Sequence, residues 1–419
     1  MEELGSMGNA FLPKKISIDI LSHLPAESVL QCRRVCKTWL TFLRDSEFAD
    51  MHLQRSRRQL MQLDDDDDDD HNINGGAAKV GLGFLFSTSW KDGVGGRVQL
   101  YYGEYYADNN IDHHKQFSYK ALKKINHPNS NKHVVVGSCN GLICVAETPY
   151  CSHYYRGNFT YLDPVYVYNP FTGEFVYLSR FDKLLKGYTV MNGFGYHPSS
   201  NEYKVVRIYY FPNQPSIGQV QVYTIGGSDG WRNRGEIKYK LQRSSLSLGG
   251  ILANGALHWL SIDREIVAFD LADEEFRVVT PPTCFLPAVD FSGKHCFHLR
   301  ELGGCLCVVH QVSGDRVDIW ALKKTKAHST YNMKEQECHS RTWSREFSIP
   351  WAGQYDDEYD PFALTKSGEV LLCYNRNTLS CYDPKTATSK TLMHHNSVKG
   401  VNFIIAIPHM NSFVSLEAL

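Results

Sequence analysis

From about residue 80 to its end, the sequence is a succession of short apolar runs cut off by Gly, Pro, Asn or Asp. The runs Gly81–Phe86, Val134–Gly137, Gly141–Val145, Val165–Tyr168, Tyr203–Ile208, Val220–Tyr223, Ile266–Phe269, Leu306–Val309 and Val370–Cys373 are brief and flanked by turn formers. Short strands punctuated at regular spacing indicate an all-β domain. The 24 Tyr and 21 Phe fit that reading, because aromatic rings pack well on a pleated surface.

The runs also carry a soft repeat. Asn140-Gly141-Leu142-Ile143, Asn254-Gly255-Ala256-Leu257 and Ser367-Gly368-Glu369-Val370 are each a turn leading into a strand. Each is followed, at a similar offset, by a strand ending in a polar turn: Tyr168 to Gly173, Phe269 to Asp273 and Tyr382 to Thr386. A period of about 40–50 residues marks propeller blades of four strands. Dividing the region by that period gives about six to eight blades, and longer loops lower the number, so six are expected. The final runs, Val401–Ala406 and Phe413–Leu416, are expected to close the ring beside the first blade and remove an exposed sheet edge.

The front of the chain has a different period. Ile16, Ile20 and Leu24 recur every fourth residue, one face of a helix, and Pro25 ends it. A second amphipathic run follows, with Val29, Leu30, Val35, Trp39 and Leu40 as its apolar members. A unit below about 40 residues usually needs outside help to be stable, so some of this surface is expected to wait for another protein. Between the two parts, Asp64 to Asp70 form an unbroken acidic run. Such a run repels itself and reads as a solvated linker. The expected organisation is an α+β multidomain chain: a flexible 1–11, a helical 12–60, an acidic linker 61–79, and a propeller-like all-β domain of about six blades over 80–419.

Specific residues then point to a family. Leu12-Pro13 opening a helix, Leu24-Pro25 between helices, Cys32-Arg33-Arg34-Val35-Cys36-Lys37-Thr38-Trp39 and the trailing Ser46–Leu53 together resemble an F-box. The resemblance implies docking on the small adaptor of SCF-type cullin–RING ubiquitin ligases. The adaptor-facing residues it implies are Leu12, Pro13, Ile16, Ile20, Leu24, Pro25, Leu30, Val35 and Trp39. The β region resembles the plant F-box-associated, kelch-like domain. The matching segments include Gly137 to Leu142, Asn169 to Gly173, Gly193 to Pro198, Asn201 to Val206, Asn254 to Leu260, Leu302 to Cys307 and Asp318-Ile319-Trp320. In that family this domain binds a protein destined for ubiquitination and proteasomal degradation. The long Lys323–Thr342 insertion, the 146–162 loop and the acidic run depart from the pattern, so no substrate-binding residue is assigned.

The partners implied are the adaptor, cullin through it, and a protein target of unknown identity. No cofactor, nucleic acid or membrane is expected. Net charge is −1, which offers no global field for an anionic polymer or surface. No apolar run approaches the roughly 20 residues of a membrane helix. The start, with Glu2 and Glu3, is unlike a secretory signal. The 12 cysteines are scattered, and Cys144, Cys305, Cys307 and Cys373 sit in strand-like runs. They are expected to be reduced, largely buried thiols in the cytoplasm and/or nucleus.

Catalytic signals are weak. Gly226-Gly227-Ser228-Asp229-Gly230 matches the nucleophile-elbow pattern, but Trp231 to Gly235 shows no helical period, so a hairpin turn is expected. His113-His114 and His394-His395 are sequence neighbours whose rings point to opposite faces of a strand. Zinc needs further Cys or His at set offsets, and Cys305 with Cys307 reads as core. Asp356, Asp357, Glu358 and Asp360 crowd one loop, with nothing to isolate a carboxylate of raised pKa. The expectation is a non-catalytic adaptor subunit with no catalytic or metal site. The rivals are a non-ligase propeller scaffold or ligand-binding protein, and a propeller-class enzyme.

Overall fold

The computed structural model describes residues 13–61, 82–90, 98–105, 122–126, 133–147, 163–180, 188–242, 249–285, 295–324, 341–351, 357–365, 367–394 and 401–419. The acidic run, His113-His114 and most of the Lys323–Thr342 insertion lie outside these residues.

Four helices come first: α1 (Lys14–Leu21), α2 (Ala26–Cys32), α3 (Lys37–Phe42) and α4 (Ser46–Met61). Pro13 and Pro25 stand immediately before α1 and α2. Proline suits a helix start because its φ is already set and a helix's first N–H groups have no intrahelical partner. The second amphipathic run, read as one stretch in the sequence, is divided in two. α2 stops at Cys32, and α3 restarts after Cys36, whose Sγ accepts a hydrogen bond from the Trp39 N–H at 3.4 Å.

Twenty-four strands then form six four-stranded antiparallel sheets. The first blade holds β1 (Leu82–Trp90), β2 (Val98–Tyr105) and β3 (Lys123–Ile125). The second holds β4 (His133–Cys139), β5 (Leu142–Glu147), β6 (Asp163–Tyr168) and β7 (Phe175–Tyr177). The third holds β8 (Thr189–His197), β9 (Glu202–Phe211), β10 (Gln214–Thr224) and β11 (Trp231–Ile237). The fourth holds β12 (Ile251–Ala253), β13 (Ala256–Leu260), β14 (Ile266–Asp270) and β15 (Phe276–Val279). The fifth holds β16 (His295–Leu302), β17 (Cys305–Val312), β18 (Arg316–Lys324) and β19 (Arg341–Pro350). The sixth holds β20 (Tyr359–Leu364), β21 (Val370–Tyr374), β22 (Thr378–Asp383) and β23 (Thr388–His394).

The last strand, β24 (Val401–Pro408), pairs antiparallel with β1 and takes the innermost place in the first blade. Ring closure therefore rests on β24 alone. Phe413–Leu416, expected from sequence to share in it, forms no strand and packs elsewhere. The soft repeat is real but skips. Its three turns join the two innermost strands of the second, fourth and sixth blades, so successive copies of the repeat stand two blades apart. Asn140-Gly141 and Asn254-Gly255 are two-residue hairpin turns with both residues at positive φ. Asn-Gly is favoured there because that turn's twist matches the strands it joins. Gly226–Gly230 is likewise the turn between β10 and β11, with a strand after it and no helix.

The core is divided into six apolar slabs, one in each seam between neighbouring blades. Ion pairs cross some of these seams. Arg207 on β9 reaches Asp163 on β6 at 2.6 Å, and Lys204 reaches Glu274, beyond β14, at 2.9 Å. Buried charges of this kind are tolerated only when paired.

Candidate functional site

The helices have two faces. Ile18, Leu21, Ala26, Val29, Leu43, Phe48 and Ala49 form one buried cluster, and Phe413 from the tail after β24 completes it. Phe413 is 3% exposed. Its ring centroid lies 5.6 Å from that of Phe48, 5.2 Å from that of His52 and 5.2 Å from that of Phe171, and the Arg33 guanidinium sits 4.6 Å over it. Leu53 of α4 joins Val414 and Leu416 in the slab between the second and third blades. Arg57 bonds Asn140 and lies over the Tyr196 ring. Asn411 donates to Glu27 at 3.1 Å. Burial pushes the His52 imidazole below its usual pKa, and its Nε2 stands 3.0 Å from the Leu24 carbonyl oxygen.

The tail is itself fixed to the propeller. Ser412 Oγ donates to the Asn140 carbonyl at 2.6 Å, and Asn169 Nδ2 donates to the carbonyls of Ser412 and Val414. A side chain at Gly141 would collide with Ser412, and Gly141 has φ +83°, so glycine is required there twice over.

The other face of the helices is open. Ile16 and Ile20, one turn apart on α1, are 48% and 50% exposed. Val35, between α2 and α3, is 64% exposed, and Pro13 is exposed as well. Leu24, Pro25, Leu30 and Trp39 are half-buried, and Leu24, Leu30 and Trp39 pack on the module's own cluster. Leu12 lies outside the described residues. The structure thus separates the implied adaptor residues into an outward set and a set that also supports the fold. Sequence reasoning missed Phe413 as part of the module, because Phe413–Leu416 reads as one more apolar run of the closing sheet.

The helices occupy the propeller face made by the β4–β5 and β6–β7 turns, through Asn140 and Phe171. The strand alternation puts the β9–β10, β13–β14, β17–β18 and β21–β22 turns on the opposite face. Between the faces runs a central cavity of about 170 Å³, walled by the innermost strands of all six blades. Val134, Phe194, Leu252, Phe362 and Ile405 line it, with Arg300 and Glu301 as its charged members.

Asp360 corrects one sequence expectation. It lies on β20, buried, and burial raises its pKa against the opposing pull of Arg300. Arg300 Nε donates to its Oδ1 at 2.6 Å. His298 is buried 3.8 Å away, with its pKa driven well below the ordinary value by burial. Sequence could not isolate Asp360, because its strand neighbours in the ring lie some sixty positions earlier. The arginine-bound carboxylate ties the fifth blade to the sixth. Cys307 is buried and Cys305 half-buried in the same slab, as expected of core. Among the described residues no cluster of three metal-ligating side chains occurs, and no helix is long and apolar enough to cross a membrane.

Comparison with known proteins bears on both parts. The profile of the F-box associated beta propeller domain matches residues 106–409, and an F-box-like profile matches residues 10–49. The Arabidopsis thaliana F-box protein At3g07870 is 27% identical, over 92% of this chain and 88% of its own. The F-box protein CPR1 of the same plant is 25% identical, over 91% of this chain and 84% of its own. Among solved structures, the SapL1 lectin in complex with alpha methyl fucoside overlaps 74% of this chain and 95% of its own at a TM-score of 0.38 and 8% identity, too distant to carry an argument.

Proposed function

Since the chain belongs to the F-box associated beta propeller family and carries an F-box-like module ahead of the propeller, we propose that it is a substrate-recognition subunit of an SCF-type cullin–RING ubiquitin ligase. The observation that carries this reading is the two-faced helical module. One face is bound into the propeller through Phe413, and the other leaves Ile16, Ile20 and Val35 open to a second protein. Isolated exposed apolar residues are ordinary, but paired isoleucines one helical turn apart form a stripe that a partner helix can cover. The adaptor would dock there and bring cullin with it.

The propeller then holds a protein target for ubiquitination and proteasomal degradation. No bond is made or broken on this chain. Its contribution is to raise the effective concentration of a target lysine near the ubiquitin-charged enzyme. On this reading the chain works in the cytoplasm or nucleus, reducing compartments in which its scattered cysteines would stay as thiols.

The test is adaptor co-purification with Ile16→Asp combined with Ile20→Asp. Both side chains are about half exposed, so the fold should survive while binding is lost. Leu24→Asp or Trp39→Ala would also abolish binding, but those side chains support the cluster, so the loss would be ambiguous. Undiminished adaptor capture by the double isoleucine variant refutes the reading.

A further inference from the structure

Three polar side chains on the wall of the central cavity are already engaged within the protein. Arg300 Nε donates to Asp360 at 2.6 Å, Ser138 Oγ stands 3.0 Å from Nδ1 of His409, and Glu301 Oε1 accepts from the Gly304 N–H at 2.6 Å. The rest of the wall is mostly apolar, with Val134, Phe194, Leu252, Phe362 and Ile405. Water gains little in such a space, because it needs about two to four polar partners. A cavity of about 150 Å³ with apolar walls stays dry and accepts benzene. At about 170 Å³, this one has room for a single aromatic ring and a small substituent.

A second cavity, of about 30 Å³, adjoins it. The smaller space is lined by residues 297–299 of β16 and by Ile251 of β12. The central one takes Arg300 and Glu301 from the same β16 and shares Ile251. The two spaces therefore lie end to end along these strands. His298 is 3% exposed, and among the described residues neither of its ring nitrogens has a hydrogen-bond partner. The Asp360 carboxylate, 3.8 Å from Nε2, is too far to bond and is held by Arg300. Neighbouring polar groups on this wall are served. His258 Nδ1 stands 3.1 Å from the Ile251 carbonyl oxygen, and Trp259 Nε1 donates to the Asn192 carbonyl at 3.1 Å. Burial keeps the His298 ring neutral, so it offers one donor and one acceptor, both unsatisfied. A buried polar group left in that state is costly.

We propose that the two spaces together form a binding site for a small uncharged aromatic molecule carrying one hydroxyl, with its ring in the central cavity and its hydroxyl on His298. The ring matches the volume and the apolar wall. A hydroxyl both donates and accepts, so it serves either nitrogen of His298, whichever one bears the proton. The wall calls for no charge. An anion would meet Glu301 and find the charge of Arg300 already matched by Asp360. A cation would be repelled by Arg300 and would find Glu301 bonded to the Gly304 N–H. The site lies inside the ring of blades and is independent of the ligase reading, since it needs neither adaptor nor target.

The test is a ligand-observed NMR titration of the full chain with phenol, toluene, benzoate and benzylammonium. Phenol should bind roughly threefold to tenfold more tightly than toluene, the scale of one hydrogen bond, and the two ions should not saturate. His298→Phe should bring phenol down to the affinity of toluene and leave toluene unchanged. Ile405→Trp, which fills the central cavity from β24, should abolish binding of both. The melting temperature of each variant without ligand is the folding control. Where a variant melts early, the four probes on the unaltered chain decide alone. Absence of saturable phenol binding overturns the proposal. Equal affinity for phenol and toluene also overturns it, because His298 is then served by water. So does binding of either ion as tightly as phenol, or undiminished phenol binding in a folded Ile405→Trp. No adaptor enters the titration, so its failure leaves the ligase reading standing.

Discussion

Replacing Phe413 with alanine removes the side chain through which the tail of the propeller fills the core of the helices. The ring is buried and touches Phe48, His52 and Phe171, with Arg33 above it. Truncating a buried Phe to Ala costs about 3–5 kcal/mol, and the loss of ring–ring geometry lies within that range. A module this small has little stability of its own to absorb the loss. The cost should therefore fall on the helices and their seat, while the blades keep their slabs. Native-state hydrogen exchange read by mass spectrometry separates the two. Amides of α2 and α3 should lose roughly a hundredfold of protection, the equivalent of about 3 kcal/mol. Amides of β13, β14 and β17 should be unchanged. Phe413→Leu should fall between, because it keeps most of the buried area. Equal loss throughout the ring would show that Phe413 is part of the propeller's own stability. Unchanged protection of the helices would show that they stand without the tail.

Further outcomes follow from the buried ion pairs. Glu274 is desolvated, but hydrogen bonds from Arg232, Lys204 and Arg234 outweigh that and bring its pKa from 4.5 to about 2. Because the folded value is depressed, the stabilisation is present above about pH 4.5 and lost as pH falls toward 2. Glu274→Gln should cost on the order of 2–3 kcal/mol at neutral pH, and the gap to the unaltered chain should close in acid urea titrations. A gap that stays constant to pH 2 would contradict the assignment. Asp360→Ala leaves Arg300 buried without its carboxylate and should cost about 3–5 kcal/mol by chemical denaturation. Asp360→Asn should cost less, and equal costs would show that charge pairing across that seam is unimportant.

The blades were legible because Asn140-Gly141 and Asn254-Gly255 signal their turns locally, and because each strand carries its own apolar run. The break at Pro25 was legible locally too, but it reads there as the end of the helix carrying Leu24, whereas α1 already stops at Leu21 and Pro25 opens α2. What sequence could not show was long-range pairing. Asp360 and Arg300 are ordinary charged residues until the ring brings two innermost strands side by side. Phe413 resembled one more strand residue, since nothing local says that it leaves the sheet for the helices. Among the implied adaptor residues, the motif could not tell Ile16 and Ile20, which face outward, from Leu24 and Trp39, which turn partly inward.

The innermost strand of the first blade comes from residues 401–408, and the plug of the helical module from residue 413. During synthesis both must therefore wait for the same late stretch to leave the ribosome. A nascent or prematurely halted product holds an unsealed ring and a loosely seated front end together. The seated arrangement of helices and propeller thus arises only once translation has passed that point, which makes the docking of the front end contingent on a closed ring.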